Sequence, residues 1–289
     1  VGDVHAYFRK IILMRNGDFS FEFFPPKTDE GMQKLRATKA QLEQLKPRFF
    51  SVTYGAGGST RDRTLDTVLD IQRDGFEAAP HLSCIGSTRE GLRETLKLYK
   101  DNGIRHIVAL RGDLPSGEAD FGELRYANEL VEFIRKETGD WFHLEVACYP
   151  EVHPQAKSPQ DDLINFKRKV DAGANGAVTQ YFYNADAYFR FIDEAHAAGI
   201  TIPIVPGVMP IASFSQLARF SDMCGAEIPR WMRLKLASFG DDRASIRSFG
   251  LDVVTDMCDR MLTQGAPGIH FYTLNMAGLT TTLWQRLGL

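Results

Sequence analysis

Short apolar runs of strand length alternate with longer amphipathic stretches from Phe19 to the C-terminal end, and that alternation restricts the chain to an α/β fold. The strand-like runs are 19–24, 49–53, 76–79, 104–110, 141–147, 177–181, 202–205 and 269–272. Helical periodicity fills the gaps, for example over 29–45, 88–100, 124–136, 159–172 and 185–197. Asn102-Gly103, Ala172-Gly173 and Ala198-Gly199 each supply a helix stop before the next strand. Strands separated by helices, without a long polar linker, predict a single (βα)8 TIM barrel across residues 1–289. An extra N-terminal helix near 4–14 is expected to cap its floor. A doubly wound sheet competes, but it calls for a glycine fingerprint after the first strand, where this chain has Pro25-Pro26-Lys27. The later Gly55-Ala56-Gly57-Gly58-Ser59-Thr60 lacks full Walker spacing and its lysine, so it is a weak phosphate signal.

The net charge of -3 and the absence of a basic stripe interleaved with aromatics argue against nucleic-acid binding. Cys84, Cys148, Cys224 and Cys258 lie far apart with no CxxC pair, as expected of reduced thiols in the cytoplasm. No stretch approaches the roughly 18 continuous apolar residues of a membrane span, and no signal peptide is evident.

Glu22 interrupts the apolar run Phe19-Ser20-Phe21-Glu22-Phe23-Phe24, which stops at Pro25-Pro26. A lone carboxylate buried there costs several kcal/mol unless it is paired or protonated. Desolvation would hold its proton at neutral pH, as a general acid requires; an outward-facing or Arg-paired Glu22 is the plainer reading. In a barrel the strand C-termini converge on one face, and here they carry a series of polar groups. These are Glu22, Thr53-Tyr54-Gly55, His81, Arg111-Gly112-Asp113, Tyr149 with Glu151 and His153, Thr179-Gln180, and Tyr272 with Asn275. Gly112 permits a tight turn or close ligand approach, and Asp113 then stands at the rim to bind a cation, accept a ligand N–H or tune a cofactor. The alternative is an Asp113 that caps the next helix. Behind Ser158-Pro159, Asp162, Asn165 and Lys169 share one helix face, suited either to exposed salt bridges or to a polyanionic tail. The histidines show none of the usual zinc spacings, His106 and His143 lie early in their strands as structural groups, and no metal is expected. No nucleophile elbow appears.

Phe21-Glu22-Phe23-Phe24-Pro25-Pro26-Lys27, Ser51-Val52-Thr53-Tyr54-Gly55-Ala56-Gly57-Gly58 and His106-Ile107-Val108-Ala109-Leu110-Arg111-Gly112-Asp113 together resemble the methylenetetrahydrofolate reductases. Ala147-Cys148-Tyr149-Pro150-Glu151-Val152-His153-Pro154, Lys169-Val170-Asp171-Ala172-Gly173-Ala174 and His270-Phe271-Tyr272-Thr273-Leu274-Asn275 extend the likeness over essentially the whole chain. The resemblance implies a (βα)8 flavoprotein that reduces 5,10-methylenetetrahydrofolate to 5-methyltetrahydrofolate with electrons from NADH or NADPH, NADH being favoured among bacterial relatives. It also implies a ping-pong cycle, in which the nicotinamide reduces bound FAD and leaves before folate takes its place. Glu22 then matches the acid that promotes ring opening toward a 5-iminium cation. Asp113 matches the residue between flavin and pterin. FAD contacts carry over to Thr53, His81, Arg111, Gly112, Asp113, Tyr149, His153, Asp162, Asn165, Arg168 and Lys169, with Arg168 and Lys169 toward the pyrophosphate. Folate or nicotinamide contacts carry over to Glu22, Asp113, Gln180, Phe214 and Tyr272.

One position departs from the pattern: relatives often carry a folate-assisting arginine where this chain has Met276, which has neither charge nor donors. The resemblance further implies a catalytic-domain-only bacterial type without a regulatory domain for S-adenosylmethionine, forming a cytoplasmic homo-oligomer, with tetramers common among relatives. Two other classes stay open on the residues alone. One is a metal-assisted barrel aldolase or hydrolase using Glu22, Asp113 and His81; the other is a noncatalytic folate or flavin binder.

Overall fold

A computed structural model of the chain describes residues 17–54, 61–113 and 122–289. The expected N-terminal helix and the glycine-rich segment 55–60 lie outside the described residues. The strands are β1 (Asp18–Phe23), β2 (Phe49–Val52), β3 (Ala78–Ser83), β4 (His106–Leu110), β5 (His143–Cys148), β6 (Gly176–Thr179), β7 (Ile204–Val205), β8 (Gly207–Val208) and β9 (Gly268–Tyr272). All pair in parallel, in the order β7-β6-β5-β4-β3-β2-β1-β9-β8.

The two ends of that order are consecutive in the chain and separated only by Pro206, so β7 and β8 are halves of one seventh strand and the barrel closes through it. Proline has no N–H to continue a ladder. On one side of it β7 pairs with β6, and on the other β8 pairs with β9. Pro80 marks a second such seam: Ala78, Ala79 and Pro80 pair with β2, whereas His81, Leu82 and Ser83 pair with β4. The expected TIM-barrel architecture is therefore the observed one, with two corrections to its strands. The third runs from Ala78 to Ser83 rather than ending at Ala79, and the seventh continues past its proline to Val208.

Helices α1 (Asp29–Glu43), α2 (Arg61–Arg73), α3 (Arg89–Asp101), α4 (Ala127–Thr138), α5 (Pro159–Asp171), α6 (Ala185–Ala197), α7 (Phe214–Cys224), α8 (Arg230–Ser238), α9 (Arg243–Thr263) and α10 (Ala277–Leu287) surround the strands. Thr28, Thr88, Ser158, Asn184 and Ser213 cap their helices by accepting backbone N–H groups of the first turn. Among the described residues no helix is long and apolar enough to cross a membrane.

Two-residue alternation sorts each strand into an outer and an inner face. Phe19, Phe21 and Phe23 point outward into the main apolar core, where Phe19 meets Trp284 of α10 edge-on at 5.1 Å. Ser20 and Glu22 take the opposite, inner face. Inside the barrel Phe49, Ala79 and Val108 form a separate small apolar cluster. The Phe49 ring lies 4.3 Å from the His106 ring below and 6.2 Å from the His270 ring above. The interior is thus polar at the mouth, apolar in the middle and polar again at the floor.

Candidate active site

Two adjoining cavities open at the C-terminal ends of the strands. The inner one, about 340 Å³, is bounded by Glu22, Thr53, His81, Gln180 and Tyr272 together with Phe23, Phe24, Val178 and Met209. The outer one, about 280 Å³, is bounded by Arg111, Gly112, Asp113, His153, Gln155, Asp162, Asn165 and Lys169. Leu110, Ala147 and Tyr149 belong to both, so the two form one elongated groove.

Glu22 stands at the inner end. Its Oε2 is 3.3 Å from His81 Nε2, a close contact without the alignment of a hydrogen bond, and 3.4 Å from His270 Nε2. Ser20 Oγ lies 2.7 Å from Nδ1 of the same His270, fixing the imidazole from behind. Burial is the largest influence on the Glu22 carboxyl and pushes its pKa up, but the combined pull of His81 and His270 wins and leaves it at about 2. The expectation of a carboxyl held protonated by desolvation is therefore corrected. Without a ligand, Glu22 is a carboxylate between two imidazoles.

β1 and β9 are tied together at their exits. Thr273 Oγ1 donates to Glu22 O at 2.6 Å, and the Asn275 amide both accepts from Phe24 N–H at 3.0 Å and donates to Phe24 O at 2.8 Å. Leu274 and Asn275 adopt left-handed backbone, with φ of 52° and 56°, to turn this clamp inward.

After β4, Gly112 has φ +86°, and a β-carbon there would lie 1.8 Å from Ser83 Oγ. That hydroxyl donates to Arg111 O at 2.8 Å, so glycine is what lets the loop lie against β3. Arg111 Nη1 in turn donates to Gln155 Oε1 at 2.7 Å. Asp113 follows at the groove; the next described helix, α4, is capped by Tyr126 instead.

On α5, Asp162, Asn165 and Lys169 face the outer cavity. Asp162 Oδ2 accepts His153 N–H at 2.8 Å, and Lys169 Nζ donates to Ala147 O at 2.5 Å. Burial lowers the pKa of Lys169 and that of His153. Tyr149 packs edge-on against His153 at 4.6 Å, and burial pushes its phenol well up. Tyr272 donates its hydroxyl to Thr179 O at 2.7 Å.

The profile of the methylenetetrahydrofolate reductase family matches residues 8–288. The chain belongs to that family. It is 47% identical over 270 residues to the 5,10-methylenetetrahydrofolate reductase of Salmonella typhimurium, and 47% identical to that of Escherichia coli, in each case across 93% of this chain and 90% of the relative. A Clostridium thermocellum protein that binds two copies of 5-methyl-5,6,7,8-tetrahydrofolic acid superposes with a TM-score of 0.65 over 97% of each chain. At 17% identity, that likeness concerns the fold alone. Membership sets aside the metal-assisted aldolase or hydrolase as the class of this barrel.

Within this reductase-family barrel, most of the site residues expected from sequence converge on the groove. Arg168 and Phe214 are not among the described residues that line it. The Arg168 guanidinium bonds Asn165 Oδ1 at 3.0 Å on the exposed side of α5, and Phe214 begins α7 packed against the main core. Glu151, one of the strand-end polar groups, accepts Glu227 N–H at 2.8 Å and serves as a loop tie. Sequence reasoning assigned no role to Ser20 or His270. Their signal was parity: each sits two residues from an expected site residue, Glu22 and Tyr272, on the same strand face.

Proposed function

We propose that the outer cavity holds FAD and that the inner cavity receives nicotinamide and folate in turn, with residues 1–289 acting as one catalytic domain. The chain is an enzyme of the methylenetetrahydrofolate reductase family, and its reaction is reduction of 5,10-methylenetetrahydrofolate to 5-methyltetrahydrofolate with a reduced nicotinamide, taken here as NADH. The observation that carries the assignment of roles is Glu22, a part-buried carboxylate at the inner end of a groove whose outer end bears cations.

The donor set fits an FAD. Arg111 and Lys169 offer positive charge for a pyrophosphate, Asn165 and Asp162 offer polar contacts beside them, and Gly112 leaves room for close backbone approach. Tyr149, shared by both cavities, provides an apolar wall. When bound, FAD supplies the hydride-carrying centre that links nicotinamide oxidation to folate reduction.

Glu22 provides the proton that makes N10 of the folate a competent leaving group. A flat pterin filling the inner cavity displaces water and strengthens the desolvation already acting on the carboxyl, which moves its pKa upward from the ligand-free value of about 2. His270, braced by Ser20, holds Glu22 through Oε2 and sets the orientation of the carboxyl group. Asp113 places negative charge where positive charge develops on the substrate, and opposes added negative charge on the reduced cofactor. Gln180 and Tyr272 position the pterin on the inner wall. The same reading makes the protein a cytoplasmic homo-oligomer; Trp231 and Leu234, three apart on α8 and both exposed, offer an apolar face for self-association.

Stopped-flow absorbance separates the half-reactions. Glu22→Gln is expected to keep bleaching of the flavin by NADH while reoxidation by methylenetetrahydrofolate falls by roughly 10²–10⁴-fold. Equal losses in the two halves would reject this division of roles.

A further inference from the structure

At the floor of the barrel, on the far side of the Phe49 layer from the groove, three donor groups converge. His106 comes from β4, and His143 and Glu145 come from the neighbouring β5. We propose that His106, His143 and Glu145 form a binding site for one divalent transition-metal ion of the zinc type.

The spacing suits such an ion. Glu145 Oε1 lies 3.0 Å from His143 Nε2 and 3.6 Å from His106 Nε2, and the three donors lie within 4.8 Å of one another. Two donors held at zinc's usual bond lengths in a tetrahedral shell are about 3.3 Å apart, so small side-chain shifts seat the ion.

The outer contacts suit it too. His106 Nδ1 is 3.0 Å from Glu77 Oε1, so Glu77 can hold the ring proton on Nδ1 and leave the Nε2 lone pair facing the cluster. A carboxylate behind a ligating histidine is the usual support of a metal site. Two buried atoms then await a partner. His106, 0% exposed, makes no hydrogen bond through Nε2 among the described residues, and neither does Oε2 of Glu145, 2% exposed. Leaving buried polar atoms unmatched is costly; a cation on Glu145 Oε1 would satisfy His106 Nε2, and a bidentate carboxylate would bring in Oε2 as well.

The pocket is held open and reachable. A β-carbon at position 176 would stand 2.5 Å from Glu145 Oε2, so Gly176 on β6 leaves space for the carboxylate. The His106 ring is wedged between Phe49 at 4.3 Å and His143 at 4.6 Å. The His143 side chain is 33% exposed, giving an entry path and a coordination position for water. Arg48, a nearby cation among the described residues, is paired with Asp18 and reaches Glu145 and Glu77 only through longer-range attraction. The ion would pin the starts of β4 and β5 without entering the reduction chemistry. The competing occupant is a proton on His106, shared between Glu77 and Glu145.

Metal-free holoenzyme is dialysed against Zn²⁺, and separately Co²⁺, and bound metal is counted per chain. Heat denaturation and NADH-driven flavin bleaching are followed in parallel. The expected result is one ion per chain, a raised unfolding midpoint, and Co²⁺ absorption bands of a low-coordinate site on the long-wavelength side of the flavin. His143→Gln and Glu145→Gln should abolish the stoichiometric ion, and Glu77→Gln should weaken it roughly 10–100-fold. Flavin bleaching should persist in every variant. Because His143 is part-exposed, His143→Gln decides the matter even where Glu145→Gln folds poorly. Absence of a stoichiometric ion in the unaltered chain, or equal binding in His143→Gln, would overturn the site and leave a proton-bridged ion network in its place.

Discussion

Gly112→Ala should damage both stability and FAD binding, and the structure sets how much. The residue has φ +86°, and an L-residue forced into left-handed backbone costs about 1–2 kcal/mol. The new methyl would also meet Ser83 Oγ at 1.8 Å, Ser83 Cβ at 2.9 Å and Ile85 Cγ2 at 3.0 Å. Overpacking of that kind adds about 1–3 kcal/mol. The total, roughly 2–5 kcal/mol, is a large share of the ~5–15 kcal/mol that holds a domain folded. If the loop escapes by moving, Arg111 and Asp113 move with it, and the cost appears in cofactor affinity at about tenfold per 1.4 kcal/mol. Urea unfolding and flavin-fluorescence titration, read together, capture both routes. Adding Ser83→Ala removes the worst clash but also the hydroxyl's bond to Arg111 O, so the double variant should recover only part of the loss, with nonadditivity on the order of 1 kcal/mol. Unaltered urea midpoint and unaltered FAD affinity in Gly112→Ala would refute the account of this loop.

The Glu22 carboxyl sits at about 2 in the folded chain against an ordinary 4.5. A depressed folded value means stability that is whole above about pH 4.5 and lost as pH falls toward 2, so Glu22→Gln should flatten the urea midpoint across that window; a slope identical to the unaltered chain would contradict the His81–Glu22–His270 contact. Asp113→Asn should raise the flavin reduction potential by removing negative charge at the groove, which an anaerobic redox titration reads directly, and an unchanged value would displace Asp113 from the cofactor. Asn275→Ala removes both bonds to the Phe24 backbone and should cost about 1–3 kcal/mol in urea unfolding. Asn275→Gly, which suits φ 56°, isolates the hydrogen-bond share, and full stability in that variant would dismiss the clamp.

Periodicity was enough where local sequence and tertiary burial agree: α6 runs from Ala185 to Ala197, as its pattern predicts, and glycines 103, 173 and 199 take positive φ at the helix stops. It failed at prolines. Pro80 and Pro206 look like strand breakers in isolation, yet each stands where a strand changes neighbours and the missing N–H is tolerated. The groove was legible because strand C-termini converge by topology, so a polar residue at each end is informative without coordinates. The charge state of Glu22 was not, because its partners come from β3 and β9 and no local pattern joins them. The floor cluster escaped for a related reason: zinc spacings are read along one chain segment, whereas His106 lies opposite His143 across a parallel strand pair, with Glu145 two residues further along β5.

The return of β9 to β1 also bears on the order of assembly. Between Pro80 and Pro206 the strands pair only with their successors, so His81 through Val205 can form one arc from near neighbours. The other arc has to bring β9 back beside β1, joining the two extremities of the barrel sequence, and loop-closure entropy makes such pairings late. Glu22 straddles that join. One of its imidazoles, His81, belongs to the arc that forms early, and the other, His270, arrives on the last strand to dock. A chain that is still emerging, or has been clipped before β9, therefore carries the carboxylate without its second imidazole and without the Thr273 and Asn275 ties. Competence for the proton-transfer step thus becomes a report on completed folding, acquired all at once when the ring shuts.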